Sequence, residues 1–175
     1  MRRTSVAAIL SFLGCFAQVA STPSAAVDPW QPFRFMIGTW EARIQGGSAG
    51  AASVGAYAFQ LELRNHVLAR HSSNAACQGP ADFNCDHGDL LYIYRDSPDQ
   101  PLKAIYFDNE GHVIHYDVTA PAPNVAILLS APLQQGPQYR LIYELQGKVM
   151  LGKFQLRLPG QSDFRSYLEW AGERK

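Results

Sequence analysis

Charge is scarce in this sequence and shows no excess of either sign. Of 175 residues, 15 are Lys or Arg and 15 are Asp or Glu, which together make up 17% of the chain. Nucleic-acid binding depends on clustered basic residues that displace counterions from phosphates, and no run of more than two basic residues occurs. A nucleic-acid partner is therefore not expected. A hydrophobic content of 47% also argues against a disordered chain.

Motifs that bind metals, phosphates or dinucleotides are missing too. The sequence has no His-Glu-x-x-His, no phosphate-binding glycine loop and no dinucleotide fingerprint. Its carboxylates fall mainly in predicted turns or on the outward faces of predicted strands, which does not indicate a paired acid and base. We therefore assign no catalytic residue, no metal ligand and no cofactor, and leave motif-free catalysis open.

Long apolar runs are absent as well, so no transmembrane helix is expected. The first residues instead have the layout of a secretory signal: Arg2-Arg3, a short apolar stretch from Val6 to Leu13, then small and polar residues as far as Ala26. Small residues permit cleavage after Ser21 or after Ala26. We predict that residues 1–26 are a signal peptide, that residues 27–175 form a single domain, and that the protein is periplasmic or secreted.

Phe12-Leu13-Gly14-Cys15 offers a rival processing site, because it is similar to a bacterial lipobox. Cys15 would then carry a lipid anchor, although the bulky Leu13 stands where small residues are usual. An ordinary signal peptide is the preferred interpretation.

Cysteines are few, and two of the three lie beyond the signal segment, at Cys77 and Cys85. In an oxidising compartment such a pair favours a structural disulfide, and the intervening Gly79-Pro80 makes the turn feasible. A metal site that combines Cys85 with Asp86, His87 and Asp89 lacks the repeated ligand spacing of zinc sites.

From Met36 onward the dominant pattern alternates apolar and polar residues, interrupted by turn residues, which predicts an all-β domain. Ten candidate strands are delimited by turn signals. They cover 36–44, 53–63, 66–73, 88–95, 102–108, 112–119, 124–130, 138–146, 148–158 and 164–171. Ten antiparallel strands joined by short turns close most simply as an up-and-down barrel, which leaves no open edge; a sandwich is the alternative.

A barrel of ten strands is wide enough to enclose a ligand cavity. Alternation places aromatic residues on the inward faces, and these are our candidates for core and pocket wall alike. The inward candidates are Trp40, Tyr57, Phe59, Tyr116 and Tyr143.

The segment Phe35-Met36-Ile37-Gly38-Thr39-Trp40-Glu41 resembles the opening of calycin barrels, which include lipocalins, fatty-acid-binding proteins and nitrobindin-like domains. The Gly-x-Trp pattern on a first strand, together with ten predicted strands, is similar to the fatty-acid-binding and nitrobindin-like branch. The resemblance implies a lipocalin-like barrel that binds lipids, haem or other small apolar molecules.

Two versions of this resemblance point to particular residues. Nitrobindin-like proteins hold haem through a histidine late in the barrel, whereas every histidine here lies in the first two thirds, which argues against haem. His71 would be a ligand only if it faces inward. Fatty-acid-binding proteins grip a carboxylate with an Arg-x-Tyr pair on the last strand, which Arg165-Ser166-Tyr167 matches. The opposite phase of that strand is more apolar, so Arg165 either clamps an anion, faces solvent or stacks on Trp40.

Together these features predict an exported barrel that holds a small hydrophobic molecule, with a carboxylate where Arg165 and Tyr167 face inward. A cofactor-free isomerase or cyclase in the same cavity is one alternative, since related barrels fold substrates against a single Tyr or His. A non-catalytic envelope module, which would show an apolar patch outside the barrel, is the other.

Overall fold

Ten antiparallel strands form a closed barrel in a computed structural model that describes residues 28–81 and 83–175. Each strand pairs with its neighbours in sequence, and the last strand pairs with the first, so the predicted up-and-down barrel is confirmed. The predicted signal segment, both cleavage sites and Cys15 lie outside the described residues. The strands are β1 Gly38–Gly46, β2 Ala52–Glu62, β3 Val67–Gln78, β4 Asp89–Tyr94, β5 Lys103–Asp108, β6 Val113–Ala122, β7 Val125–Ser130, β8 Gln138–Gln146, β9 Val149–Arg157 and β10 Arg165–Arg174.

Most strand boundaries lie within three residues of the predicted ones, but the first strand begins at Gly38 and not at Met36, because Met36 belongs to a 3₁₀ helix. The third predicted strand ends at residue 73, but β3 continues to Gln78, which pairs with Ala52 of β2. Leu63, placed inside the second predicted strand, lies instead in the β2–β3 turn and is 73% exposed. That turn contains three consecutive residues with positive φ, from Leu63 to Asn65.

A short 3₁₀ helix, Gln31–Met36, closes one end of the barrel, which we call the lower end. Phe33 and Met36 of this helix are buried, and the indole nitrogen of Trp40 donates a 2.8 Å hydrogen bond to the carbonyl of Met36. The Arg174 guanidinium stacks over Trp40 at 4.4 Å and donates to the carbonyls of Phe35 and Ile37. An arginine does stack on Trp40, therefore, but it is Arg174 and not Arg165.

The lower half of the barrel interior is filled with side chains from the inward faces of the strands. Nearly all of them are apolar and almost completely buried, as the alternation of side chains across a pleated sheet requires. The large inward residues of this layer are Trp40, Phe59, Leu68, Leu91, Ile93, Leu128, Tyr143 and Met150.

The upper end is formed by loops that carry two stabilising features. Cys77 at the end of β3 is joined to Cys85 by a disulfide, with 5.4 Å between the Cα atoms, which confirms the predicted pair. Asp86 and Gly88 are also held against the turn that precedes β6: Asn109 donates to the carbonyl of Asp86 at 2.7 Å and accepts from the backbone nitrogen of Gly88 at 3.1 Å. Within the described residues, no helix has the length and hydropathy needed to cross a membrane.

Candidate functional site

The upper half of the barrel contains a cavity of about 410 Å³. Apolar residues of β1, β8, β9 and β10 form one side, and polar residues of β3, β4, β5 and the upper loops form the other. Seven of the lining residues on the strands are aromatic: Tyr57, Tyr106, Tyr116, Tyr139, Phe154, Tyr167 and Trp170. The remaining apolar lining residues include Ala42, Ile44, Ile114, Leu141, Leu156 and Leu168.

The apolar side is built from aromatic rings that pack on one another. Tyr139 and Phe154 are stacked, with 5.6 Å between ring centroids and 9° between planes, and Tyr167 meets Phe154 edge-on at 6.2 Å. Trp170 lies across Gly152 of β9, where any Cβ atom would collide with the indole ring. Glycine at this position therefore creates the room that the Trp170 ring occupies in the wall.

On the polar side, Arg70 of β3 lies at the floor of the cavity and is only 6% exposed. Its guanidinium donates to the Asp89 carboxylate at the start of β4 and to the Tyr143 hydroxyl from the filled layer below. Ser72 donates a second hydrogen bond to Asp89, at 2.9 Å. Because a buried charge needs a partner, these contacts explain how the interior tolerates an arginine.

The pKa values in this pair reflect that mutual stabilisation. Burial alone lowers the pKa of Arg70, but the negative charge of Asp89 outweighs it, so the Arg70 pKa is raised. Burial alone raises the pKa of Asp89, but the charge of Arg70 and hydrogen bonds from His87 and Ser72 outweigh it, so the Asp89 pKa lies well below 3.8. Both groups are therefore charged at neutral pH.

His87 is held by acidic groups around the cavity mouth. Its Nδ1–H donates to Glu110 at 2.8 Å, while Nε2–H lies 3.1 Å from the Tyr106 hydroxyl and 3.4 Å from the Asp89 carboxylate. The hydrogen bond to Asp89, with that to Glu110, raises the pKa of His87 to about 9 although burial acts in the opposite direction. His87 is accordingly an imidazolium at neutral pH.

Tyr106 connects His87 to a third carboxylate, Asp108 at the end of β5. The Tyr106 hydroxyl donates to Asp108 at 3.2 Å, and Asp108 also accepts from the His112 ring at 2.8 Å. Burial raises the pKa of Tyr106, and the nearby charge of Asp89 adds to that rise. The phenol therefore stays neutral and hydrogen-bonded on both sides within the cavity wall.

Two further tyrosines differ in how their hydroxyls are placed. Tyr116 is 3% exposed, and its hydroxyl makes no hydrogen bond with any residue that the structure describes. Burial raises its pKa, so it is a neutral donor and acceptor. The Tyr57 hydroxyl is covered and also lacks a described partner; the Trp170 indole nitrogen lies beside it without the geometry of a hydrogen bond.

Five of the eight candidate binding residues from the sequence lie elsewhere than on the cavity wall. Tyr57, Tyr116 and Tyr167 line the cavity, whereas Trp40 and Phe59 belong to the filled layer below it. Tyr143 also belongs to that layer but reaches Arg70 through its hydroxyl. The remaining two, His71 and Arg165, are treated next.

His71 points away from the cavity, because the inward face of β3 carries Arg70 and Ser72. It contacts Glu62 on the outer wall at 3.0 Å, and its side chain is 42% exposed. Its predicted role as an inward ligand therefore has no geometric support.

Arg165 stands exposed at the upper rim, at the first residue of β10, and is not among the residues that line the cavity. The register between β9 and β10 shifts between Ser166 and Leu168, which leaves Tyr167 without a partner on β9. The alternation that placed Arg165 and Tyr167 on one face does not continue across this irregularity.

The charged side of the cavity was missed by the sequence analysis. Arg70 lies on the strand whose inward phase the sequence leaves open, and Asp108 and Glu110 lie in or beside a predicted turn. One signal was present: Asp89 continues the inward series of Leu91 and Ile93. Among the described residues, no group of three potential ligands is arranged to hold a metal ion.

Gly46–Gly50 matches the Gly-x-Ser-x-Gly pattern that surrounds the nucleophilic serine of many hydrolases. That motif works on a strand-to-helix turn, which exposes the serine at the top of a parallel sheet. Here the segment joins two antiparallel strands, and the Ser48 backbone is hydrogen-bonded to Ser166 at 3.1 Å. The pattern therefore does not indicate a nucleophile.

Comparison with protein-family models and with curated protein sequences found no match to this chain.

Proposed function

We propose that this barrel binds a small hydrophobic molecule in its upper cavity. The observation that carries the proposal is a space of about 410 Å³ inside a closed barrel, walled mainly by apolar and aromatic side chains. Such concave, largely apolar spaces with a few placed polar groups are typical ligand sites. Taking the roughly 30 Å³ of one liquid water as the unit, the occupant has on the order of 15 non-hydrogen atoms.

Calycin relationship and export are parts of the same proposal. The Gly-x-Trp segment at Gly38–Trp40 opens β1, and the Trp40 ring closes the lower end beneath Arg174, which supports a lipocalin-like barrel. The Cys77–Cys85 disulfide supports folding in an oxidising compartment. A carrier or scavenger outside the cytoplasm is the role that fits these features together.

Native mass spectrometry of protein purified from its own host tests the proposal. We expect a co-purifying apolar molecule that is lost when the cavity is filled by Ala42→Phe, since Ala42 lines the cavity on β1. Ala58→Phe is the matched control, because Ala58 lies on β2 in the outward phase between Tyr57 and Phe59. Equal ligand content in both variants would place the ligand outside the cavity, and an empty native protein would favour the interaction module instead.

A cofactor-free isomerase or cyclase is the second candidate, favoured by one observation. Tyr106 is held between the His87 imidazolium and the Asp108 carboxylate in the wall of the cavity, where it could exchange a proton with a bound molecule. The same preparation separates this candidate from a carrier. A ligand that is released with unchanged mass but altered chromatographic retention supports the enzyme, and a ligand released unaltered supports the carrier.

A further inference from the structure

The charged groups around the cavity are already paired with one another. Three residues that line it can be cationic, and each contacts a carboxylate: Arg70 with Asp89, His87 with Glu110 at 2.8 Å, and His112 with Asp108 at 2.8 Å. The three carboxylates carry three negative charges, and Arg70 and His87 carry two positive charges, so the group has one net negative charge. Protonation of His112 would only bring the sum to zero.

An anionic ligand would therefore gain little from these residues. The pKa values of Glu110 and Asp108 are lowered, the first chiefly by its hydrogen bond from His87 and the second by hydrogen bonds from His112 that outweigh its burial. Both carboxylates are ionised at neutral pH and repel a further carboxylate placed in the cavity. Arg165 at the rim is exposed to solvent, which screens its charge.

Neutral polar contacts, in contrast, are present within the cavity wall. Tyr116 lies deep in the wall, and its hydroxyl has no hydrogen-bond partner among the described residues. A phenol can donate to a carbonyl oxygen or accept from a hydroxyl group. Because Tyr116 lines the cavity, a ligand oxygen at this hydroxyl would form a hydrogen bond that no protein group competes for.

The remaining wall favours rings over flexible chains. The stacked pair Tyr139 and Phe154, the edge of Tyr167 and the indole of Trp170 present aromatic surfaces to the same space. Aromatic side chains pack well on other rings in offset or edge-on arrangements. A rigid ring system also loses less conformational entropy on binding than an alkyl chain.

We infer that the cavity selects an uncharged, ring-containing molecule with a hydroxyl or carbonyl oxygen, which Tyr116 binds, and that it discriminates against carboxylates. This inference rests on the proposed binding function and names its ligand class. It differs from the carboxylate expected from Arg165 and Tyr167, so the two can be separated by experiment.

The experiment compares four probes that share one ring system: naphthalene, naphthol, methyl naphthyl ketone and naphthoate. Affinities are measured at pH 7 by titration calorimetry on protein freed of bound ligand. We expect naphthol and the ketone to bind at least about tenfold more tightly than naphthoate. Naphthoate binding as tightly as naphthol would overturn the inference and leave the proposed function intact. No heat and no competition from any probe, naphthalene included, would instead contradict the binding function itself.

Variants then locate the contact. Tyr116→Phe should weaken naphthol about fivefold and leave naphthalene unchanged, because only the hydroxyl contact is removed. Tyr92→Phe is the matched control, since Tyr92 lies on the outer wall against His71. Loss of naphthol and naphthalene affinity in equal measure would show that Tyr116 acts only through packing and would overturn its assigned role.

Two charge variants test the discrimination. Glu110→Gln should strengthen naphthoate binding several-fold, because it removes one negative charge and leaves the His87 imidazolium less neutralised. Arg165→Leu should leave all four affinities unchanged. A selective loss of naphthoate binding in Arg165→Leu would support the carboxylate clamp and overturn the inference.

Discussion

The two halves of this barrel are made from the same ten strands, but the interior of the lower half is packed with side chains and that of the upper half contains a cavity. In the lower half, inward positions carry large apolar residues such as Trp40 and Met150, which are completely buried. In the upper half, the same strands carry tyrosines, serines and charged residues that surround open space. Close packing is therefore concentrated at one end of the strands and polar groups around a cavity at the other, so variants in the two halves should behave differently.

The largest difference should come from removing a ring in each half. Phe59→Ala empties a 1% exposed site in the packed layer and should lower the free energy of unfolding by about 4 kcal/mol. Phe154→Ala removes a ring that already borders the cavity and should cost about 1 kcal/mol. Urea unfolding, with an unchanged denaturant dependence as the check on two-state behaviour, measures both. Equal losses would show that the upper half is packed as tightly as the lower one.

The second prediction concerns the boundary between the halves, where Arg70 is buried against Asp89. Asp89→Asn leaves an uncompensated cation in the interior and should cost about 3 kcal/mol of unfolding free energy. Asp96→Asn, which removes the exposed partner of Lys103, should leave unfolding nearly unchanged. Replacing both charges at once, by Arg70→Met with Asp89→Leu, should recover most of the loss, and failure to recover would mean that Asp89 acts through other contacts.

The third prediction uses pH to weaken the upper half selectively. The pKa of His87 is raised from 6.5 to about 9. The protonated side chain therefore contributes fully to the free energy of unfolding below pH 6.5, and this contribution is lost as the pH rises through 9. The side chain is 31% exposed, and solvent therefore weakens the effect of the pKa shift. We expect the free energy of unfolding to fall by about 2 kcal/mol between pH 6 and pH 10. Lowering the pH below 3.8 removes the contribution of Asp89 to the free energy of unfolding instead, because the pKa of Asp89 is lowered in the folded protein.

Thermal unfolding of His87→Gln across this range tests the assignment. The stability of the variant should depend less on pH than that of the native protein between pH 6 and pH 10. Identical slopes in the native protein and in His87→Gln would show that other groups cause the alkaline loss.

The sequence predicted the lower half better than the upper half, for a physical reason. Alternation of apolar and polar residues identifies a face only when that face is apolar, as it is for Trp40 and Phe59. On β3 the inward series of Leu68, Arg70 and Ser72 mixes apolar with polar residues, so alternation could not choose a phase. The charged residues of the cavity wall are those that depart from the apolar pattern, so a rule that identifies apolar faces does not find them.

The mouth of the cavity shows a second limit of sequence reasoning. His87 and Glu110 are 23 residues apart and lie in different loops, which meet only because the β3–β4 loop and the β5–β6 turn stand at the same end of a closed barrel. Local patterns predict each turn but not which turns become neighbours. The register irregularity at Tyr167 is equally invisible in the sequence, since it depends on pairing with β9.

The filled lower half of the barrel closes the cavity from below. If the proposed ligand enters at the upper end, the packed layer at Arg70 and Tyr143 lies beneath it, and it has to leave by the same end. The width of the upper opening would then influence the dissociation rate of that ligand. Two ligands of equal affinity but different width would then have different residence times.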